Sequence, residues 1–538
     1  MHAAGVGKMS DRQNMNRRDF IYLLGALSAA PRILGSSTAN YSKIAYPGKS
    51  GRLIYVPDKE GNLIPDFSNC GYMGGAARLP DVRVRGEVAA GLTDATARIQ
   101  EALDKVSKMP QDREGFRGAV LLKKGVHMMS DTLRVNTSGV VLRGEGSEET
   151  GTVLVATRKE RHVLIEIRGS GFGKPVVGAV RRIANKYVPV GARSFRIDSA
   201  KGLRVGDNIV VRRTGNSAWI REIGMDRIVP RPTGGTRQWE PFNLDFDRII
   251  TKIAGDRITI DAPIVCSIDE RWGGGEVLLF DINERISHIG VENLRGISEF
   301  DRSVTAEYGG SKEKYFSDEQ HAGDFININF AQNVWIRNVS ALHFGYSAVN
   351  IGRAKWVTVQ DSRSREMVSV ITGGRRYSFN IDAGQLCLVL RCEAESGRHD
   401  FVVGGRVCGP NAFVDCKASN AFASSEPHHR WSTGGLFDNV KAPLAIQDRG
   451  YMGSGHGWSG ANYVAWNCEG PLVCQKPPTA QNWAIGHIGE KIRGAFEPRE
   501  DGYWESFGRH AEPRSLYFQQ LRDRLGTAAV RNLESLNK

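Results

Sequence analysis

The chain has 538 residues and a formal net charge of +13, from 72 Lys and Arg against 59 Asp and Glu. Such a balance points to a polyanionic partner, yet no recognised nucleic-acid-binding motif is present. The eight cysteines lack the spacing of a zinc site, and the length suits either several domains or one body built from repeats.

The N-terminus reads as an address. Asn16-Arg17-Arg18-Asp19-Phe20 precedes the apolar run Ile21–Ala30, the pattern of a twin-arginine export signal. The run is shorter than the about 20 apolar residues that span a bilayer. Residues 1–39 are therefore read as a signal peptide, with cleavage between Ala30 and Asn40. Its removal takes away Lys8, Arg12, Arg17, Arg18 and Arg32 against Asp11 and Asp19, so 13 − 5 + 2 leaves about +10. A soluble mature protein, periplasmic or secreted and without stable membrane insertion, is expected. That compartment favours acidic polysaccharide over nucleic acid as the partner.

Residues 40–184 read as an N-terminal cap and first coils. In Thr93–Leu103, Thr93 or Asp94 can cap a helix whose Ile99, Ala102 and Leu103 form an apolar stripe. Such a helix covers the open end that every repeat array must close. Strand-like segments follow at Gly118–Leu122, Leu133–Val135 and Ser138–Gly144. These segments, with Asp66-Phe67-Ser68-Asn69-Cys70-Gly71-Tyr72 before them, resemble the opening of the pectate-lyase superfamily over residues 60–155. The resemblance implies a right-handed parallel β-helix and a polysaccharide-lyase-like protein. The chain departs from the family's common form at Lys123 or Lys124, where a proline is usual.

Residues 185–269 break the coil rhythm. Ser194–Asp198, Leu203–Val211 and Ile249–Asp261 read as strands joined by tight turns, a small inserted β subdomain. Its Trp219, Arg221 and Trp239-Glu240-Pro241-Phe242 are candidates for a lid.

Residues 270–470 carry the main repeat. Coils resume at Val277–Asp281 and Ile286–Leu294, and Ser298–His321 reads as a polar loop leaving the wall. Six segments then alternate apolar and polar residues: Asn333–Ser340, Trp356–Ser362, Cys387–Ala394, Ala412–Ser419, Leu436–Ala442 and Tyr463–Glu469. Aligned, they stack Val339, Ser362, Cys392, Cys416, Val440 and Cys468 at steps of about 23, 30, 24, 24 and 28 residues, the range of a solenoid. No helical pattern separates them, so the fold class is all-β, a right-handed parallel β-helix. The stacked cysteines read as small buried hydrophobes. A twin-arginine substrate folds in the reducing cytosol, which weakens the case for disulfides, although a Cys387–Cys408 pair stays open. Residues 471–538 lose the rung pattern and read as a C-terminal cap with a helix over Ser515–Arg524.

Charged side chains gather after the rungs: His343; Arg365 and Glu366; Arg398, His399 and Asp400; Glu426-Pro427-His428-His429-Arg430-Trp431; Asp448 and Arg449. Matching places in successive coils lie about 4.8 Å apart, so these residues predict a cationic, imidazole-rich groove. His399 or His429 is the candidate base and His428 or His456 the acid, with Arg398, Arg430 or Arg449 neutralising a carboxylate. Asp400 is placed to orient His399. Arg365, Arg398, Arg449, His456, Trp431 and Trp458 read as substrate-binding, the tryptophans as stacking platforms. The glycines around His456 let the backbone approach a ligand. Together these residues predict a lyase that cleaves a uronate-containing polysaccharide by β-elimination. A glycoside hydrolase is the alternative, but it needs paired carboxylates, and only the separated Asp415, Asp438 and Asp448 are on offer. A non-catalytic polysaccharide-binding β-helix is the third reading. Neither a metal nor another cofactor is expected, because no carboxylate cluster suits calcium.

Overall fold

The computed structural model describes residues 39–75, 77–309, 312–496 and 498–533. The expected export signal thus lies outside the described residues, save its last position. From Val84 to Glu505 the chain winds as the right-handed parallel β-helix that the ladder predicts, with three parallel sheets along its length. The first sheet runs from Val84–Val88 through Gly118–Leu122 and Val140–Arg143 to Trp483–Ile485 and Tyr503–Glu505. The second includes Gly125–Met129, Thr152–Ala156, Arg363–Arg365, Glu393–Glu395 and Lys417–Ser419. The third is 7-stranded: Leu133–Val135, His162–Arg168, Ala322–Asn329, Ser347–Ile351, Phe379–Ile381, Phe401–Val403 and Glu426–Pro427.

A repeated backbone device turns each coil from the first sheet to the second. Asn293, Asn338, Asp361, Arg391, Asp415, Asn439 and Asn467 all take φ between 50° and 58°, a region that Asn and Asp tolerate better than most residues. The next residue then points inward. Val339, Ser362, Cys392, Cys416, Val440 and Cys468 are each at most 1% exposed. Backbone bonds step between coils at the same place, Lys417 N–H to Cys392 O at 3.0 Å and Glu469 N–H to Val440 O at 3.0 Å. All eight cysteines are free and buried.

The helix Thr96–Ser107 buries Ile99, Leu103 and Val106 against the first coils, although its N-cap is Ala95 and not Thr93 or Asp94. At the other end the rungs do not stop at 470. Leu472–Cys474, Trp483–Ile485 and Tyr503–Glu505 continue the stack. The C-terminal helix Leu516–Leu525 lies on the outer face of the first sheet, where Leu516, Tyr517 and Leu521 pack with Leu390, Val414 and Trp466. No helix among the described residues is long and apolar enough to cross a membrane.

Between the early coils stands a 6-stranded antiparallel sheet that includes Lys174–Arg182, Asn208–Arg213, Leu244–Ala254 and Gly275–Asp281. Val277–Asp281, read from sequence as a resuming coil, is therefore a strand of the insert. Ser298–His321 holds a short hairpin, Thr305–Glu307 with Lys314–Phe316. The insert is fastened by buried charge. Asp247 lies 2.8 Å from Lys355 Nζ of the solenoid and 2.6 Å from Arg285 Nη1, with all three side chains at most 2% exposed. Burial alone would raise the Asp247 pKa, but Lys355 and Arg285 bring it down to about 2. Beside it the fully buried Arg248 donates to the carbonyls of Ala262 (3.1 Å), Pro263 (2.9 Å) and Gly409 (2.7 Å).

Removing one member of such a set strands the others in low dielectric. Asp247→Ala should lower unfolding free energy by about 3–5 kcal/mol in urea titrations. The double variant Asp247→Ala with Lys355→Met should recover part of that loss. Wild-type stability in the single variant would show that the buried charges do not hold the insert.

Candidate active site

The third sheet ends at Glu426–Pro427, and its last strands deliver the charged residues that the sequence singled out. Arg398, His399 and Asp400 precede the strand Phe401–Val403, while His428, His429 and Arg430 follow Glu426–Pro427. Arg449 and His456 come from the next coil. Five rings meet here. His399 and His428 have centroids 4.8 Å apart, His428 and His456 5.0 Å, and His429 and His456 5.1 Å. Tyr377 packs 5.3 Å from both His399 and His428.

The hub of this cluster is Glu426, 2% exposed. Its Oε1 accepts from Arg449 Nη1 at 2.5 Å and from His428 Nδ1 at 2.8 Å, while Oε2 accepts from Ser424 Oγ at 3.0 Å. Arg449 Nη1 has two hydrogens and three neighbours, Glu426 Oε1, the His428 carbonyl (2.7 Å) and His428 Nδ1 (2.6 Å), and assigning both hydrogens to the two oxygens leaves none for Nδ1. This count places the His428 proton on Nδ1, facing Glu426, and leaves Nε2 as the acceptor for the Tyr377 hydroxyl at 3.0 Å. Arg398 Nη1 lies 3.4 Å from that hydroxyl oxygen. Burial raises the Tyr377 pKa, and the Arg398 charge works against that rise.

Each histidine is held neutral. Burial drives His399 and His428 well below the usual imidazole range, and for His428 the Arg449 charge adds to it. His429 falls to about 4, through burial first and then Arg430 and Arg449. His456 falls to about 2, through burial and Arg449. His429, His456, Arg398, Arg430 and Tyr377 are half-buried and form the accessible part of the cluster. Gly453 shapes its edge: at φ 57° with ψ −120° only glycine is comfortable, and a Cβ there would run into the His456 ring.

Several expected roles change. His399 is 2% exposed beneath Tyr377, with Nδ1 2.6 Å from the Ser424 carbonyl, so it supports the cluster from below and is not the base of an open groove. Asp400 turns to Ser378 Oγ at 2.6 Å instead of orienting His399, and burial pushes its carboxyl up to about 7. Arg449 is 7% exposed and committed to Glu426, which removes it from direct substrate binding. Trp431 and Trp458 are no stacking platforms. Trp431 is 1% exposed with its ring 5.2 Å from Trp219 of the insert, and Trp458 donates Nε1–H to Ile223 O at 3.2 Å. Trp239 and Phe242 share that core, so the expected lid is a fixed wall, with Arg221 exposed on its outside. Arg365 is exposed next to Glu366, which pairs with His343 at 3.1 Å, and no hydrogen bond or ring contact among the described residues joins it to the cluster.

Tyr377 and Glu426 were given no role from sequence. Glu426 stood in the singled-out string, but its partner Arg449 is 23 positions on. An asparagine column was also missed. Asn327, Asn350 and Asn380 stand in register on the third sheet, with Asn380 donating to Asn350 at 2.9 Å, and they extend the polar floor away from the histidines.

The donor atoms of His399, Glu426 and His428 lie within 4.8 Å of one another. A cation shared by them would take the place that Arg449 Nη1 fills, 2.5 Å from Glu426 and 2.6 Å from His428 Nδ1. The set therefore suits a guanidinium, and a metal ion would have to displace it.

No protein-family model matches the chain, and no curated protein matches it. Among solved structures it is similar to the tailspike gp49 from Pseudomonas phage LKA1, at 11% identity and a TM-score of 0.44 over 74% of this chain. This chain spans 58% of that tailspike's length. An alginate lyase from Paenibacillus sp. str. FPU-7 matches at 7% identity and a TM-score of 0.38, covering 79% of this chain and 99% of its own. A polygalacturonase from Erwinia carotovora matches at 11% and 0.36, covering 80% and 96%.

Neutral buried histidines link stability to pH. An unfolded histidine titrates at about 6.5, whereas folded His429 binds its proton only near 4. The folded state therefore binds fewer protons between those values. Its stability is full above pH 6.5 and is lost as pH falls toward 4. The melting temperature should drop across this window, and His429→Gln should flatten part of the drop. An unchanged pH slope in the variant would contradict the assignment.

Proposed function

We propose that the protein is an exported polysaccharide lyase that cleaves a uronate-containing acidic polysaccharide by β-elimination. The observation that carries this reading is the Tyr377 hydroxyl, held between His428 Nε2 at 3.0 Å and Arg398 Nη1 at 3.4 Å. β-Elimination breaks the C5–H and C4–O bonds of a uronate, forms a C4=C5 double bond and returns a proton to the leaving oxygen. A carboxylate beside C5 acidifies that proton only when a cation neutralises it. Arg398, half-buried at the accessible edge beside the Tyr377 hydroxyl, takes that role. As Tyr377 removes the C5 proton, its own hydroxyl proton moves to the lone pair on His428 Nε2. The pair then delivers a proton to the glycosidic oxygen. Glu426 keeps His428 in the tautomer this transfer needs, and Arg449 holds Glu426 in place. His429 and His456 line the same space, and their neutrality spares an incoming polyanion from competing with a bound counter-ion.

A hydrolase reading draws on Asp324 and Asp382, which lie on the third sheet or at its edge. Burial raises both carboxyl pKa values, and the Asp382 charge raises that of Asp324 further. Two such groups are the raw material of acid–base glycoside hydrolysis. Incubation with polygalacturonate and alginate separates the readings. A lyase produces unsaturated ends with ultraviolet absorbance, a hydrolase produces reducing ends without it, and a pure binder produces neither.

Tyr377→Phe and His428→Ala should lower kcat by about 10²–10⁴-fold, with circular dichroism unchanged. Asp324→Asn and Asp382→Asn should leave it within about twofold, because groups outside the reacting pair contribute no proton transfer. The reverse pattern would favour hydrolysis.

A further inference from the structure

The insert hands one more cation to the site. Arg237 N–H donates to Ser454 O at 3.1 Å, and Trp239 Nε1–H donates to Gly455 O at 2.9 Å. This stretch of the insert is thereby clipped onto the loop that carries His456. Arg430 reaches the same Ser454, with Nη2 2.8 Å from Oγ and 3.2 Å from the carbonyl. Arg406 sits one coil earlier. Its N–H donates to Arg430 O at 2.9 Å, and its guanidinium lies 4.2 Å from the ring centroid of Phe242 in the insert.

Three arginines thus gather at one loop, and among the described residues none forms an ion pair with a carboxylate. Several buried cations elsewhere face a carboxylate, Lys355 and Arg285 with Asp247, Arg449 with Glu426, Arg143 with Glu292, while Arg248 meets carbonyl oxygens instead. Here the neighbours repel. Burial lowers the Arg430 pKa and Arg237 lowers it further, while burial and then Arg430 do the same to Arg406. The electrostatic cost of this repulsion is relieved when an anion enters. The group also stands apart from Arg398. Arg398 precedes the strand Phe401–Val403 and Arg406 follows it, so the two lie at opposite ends of that strand.

We propose that Arg237, Arg406 and Arg430 form a second anion-binding subsite, which holds the carboxylate or sulfate of another sugar residue on the same polymer while Arg398 serves the residue being cut. The proposal rests on the reading of this groove as a site for acidic polysaccharide. It makes the insert a specificity element, because Arg237 and the Phe242 platform both come from it. It also requires a ligand with at least two anionic groups.

The test uses the full chain with Arg237→Ala, Arg406→Gln and both together. Binding is measured by calorimetry with polygalacturonate oligomers, alginate oligomers, dextran sulfate and neutral dextran. Arg237 is exposed, so its removal leaves the fold intact. Each single variant should weaken polyanion binding about tenfold, as expected for loss of a charge-assisted hydrogen bond. The salt dependence should become shallower and kcat should stay unchanged. Tighter binding of dextran sulfate than of the uronates would assign the subsite to sulfate, and the opposite order would assign it to carboxylate. Polyanion binding that needs these arginines in a protein without turnover would support the subsite and remove the lyase reading. Lyase turnover with wild-type KM in both single variants would do the reverse. Failure of the wild-type protein to bind any polyanion would overturn the subsite.

Discussion

One buried carboxylate organises this protein's charged face. An ionised side chain taken out of water costs several kcal/mol unless partners satisfy it, and Glu426 has them: Arg449, His428 and Ser424, with His399 Nδ1 3.3 Å away. In return it holds each of them. Arg449 comes from one coil further on, His399 from one coil back, and Tyr377 from the coil before that. The solenoid supplies the spacing, since successive strands of its third sheet stand about 4.8 Å apart. What the fold alone does not supply is orientation, which the carboxylate provides through His428.

The electrostatic logic of the face follows from that centre. Burial and nearby arginines keep four histidines uncharged, so the fixed positive charge is borne by guanidinium groups, which do not titrate near neutrality. A neutral imidazole with a free lone pair beside fixed cations is a base poised for an anionic substrate. The same polyanion would ease the repulsion among Arg237, Arg406 and Arg430. The insert, pinned by Asp247, Lys355 and Arg285, is part of this design because it walls the site with Trp219 and Trp239 and brings Arg237 to the rim.

The ladder from Val339 to Cys468 was legible because alternating segments ending on a small inward residue recur at steps of about 23 to 30 residues. The Asn or Asp that takes positive φ just before it at most corners emerges from the structure. Arg398, His428, His429 and Arg430 were legible because arginines and histidines in successive turns are poorly explained by solvation alone. Tyr377 was hidden in an irregular turn of glycines and arginines that carries no period. The tryptophans misled because their cover comes from far away in sequence: Trp458 bonds a carbonyl 235 positions upstream. The last coils escaped because Trp483–Ile485 and Tyr503–Glu505 follow Val464–Trp466 at steps of 19 and 20 residues, shorter than those of the ladder.

The central claim is that Glu426 fixes His428 as a neutral imidazole protonated on Nδ1, with Nε2 free to accept from Tyr377. Nitrogen-15 correlation spectra of the imidazoles at neutral pH read this directly. The account predicts a neutral His428 carrying its proton on Nδ1 in the wild-type protein, and loss of that single tautomer in Glu426→Gln. A doubly protonated His428, or one protonated on Nε2 in the wild type, would contradict it.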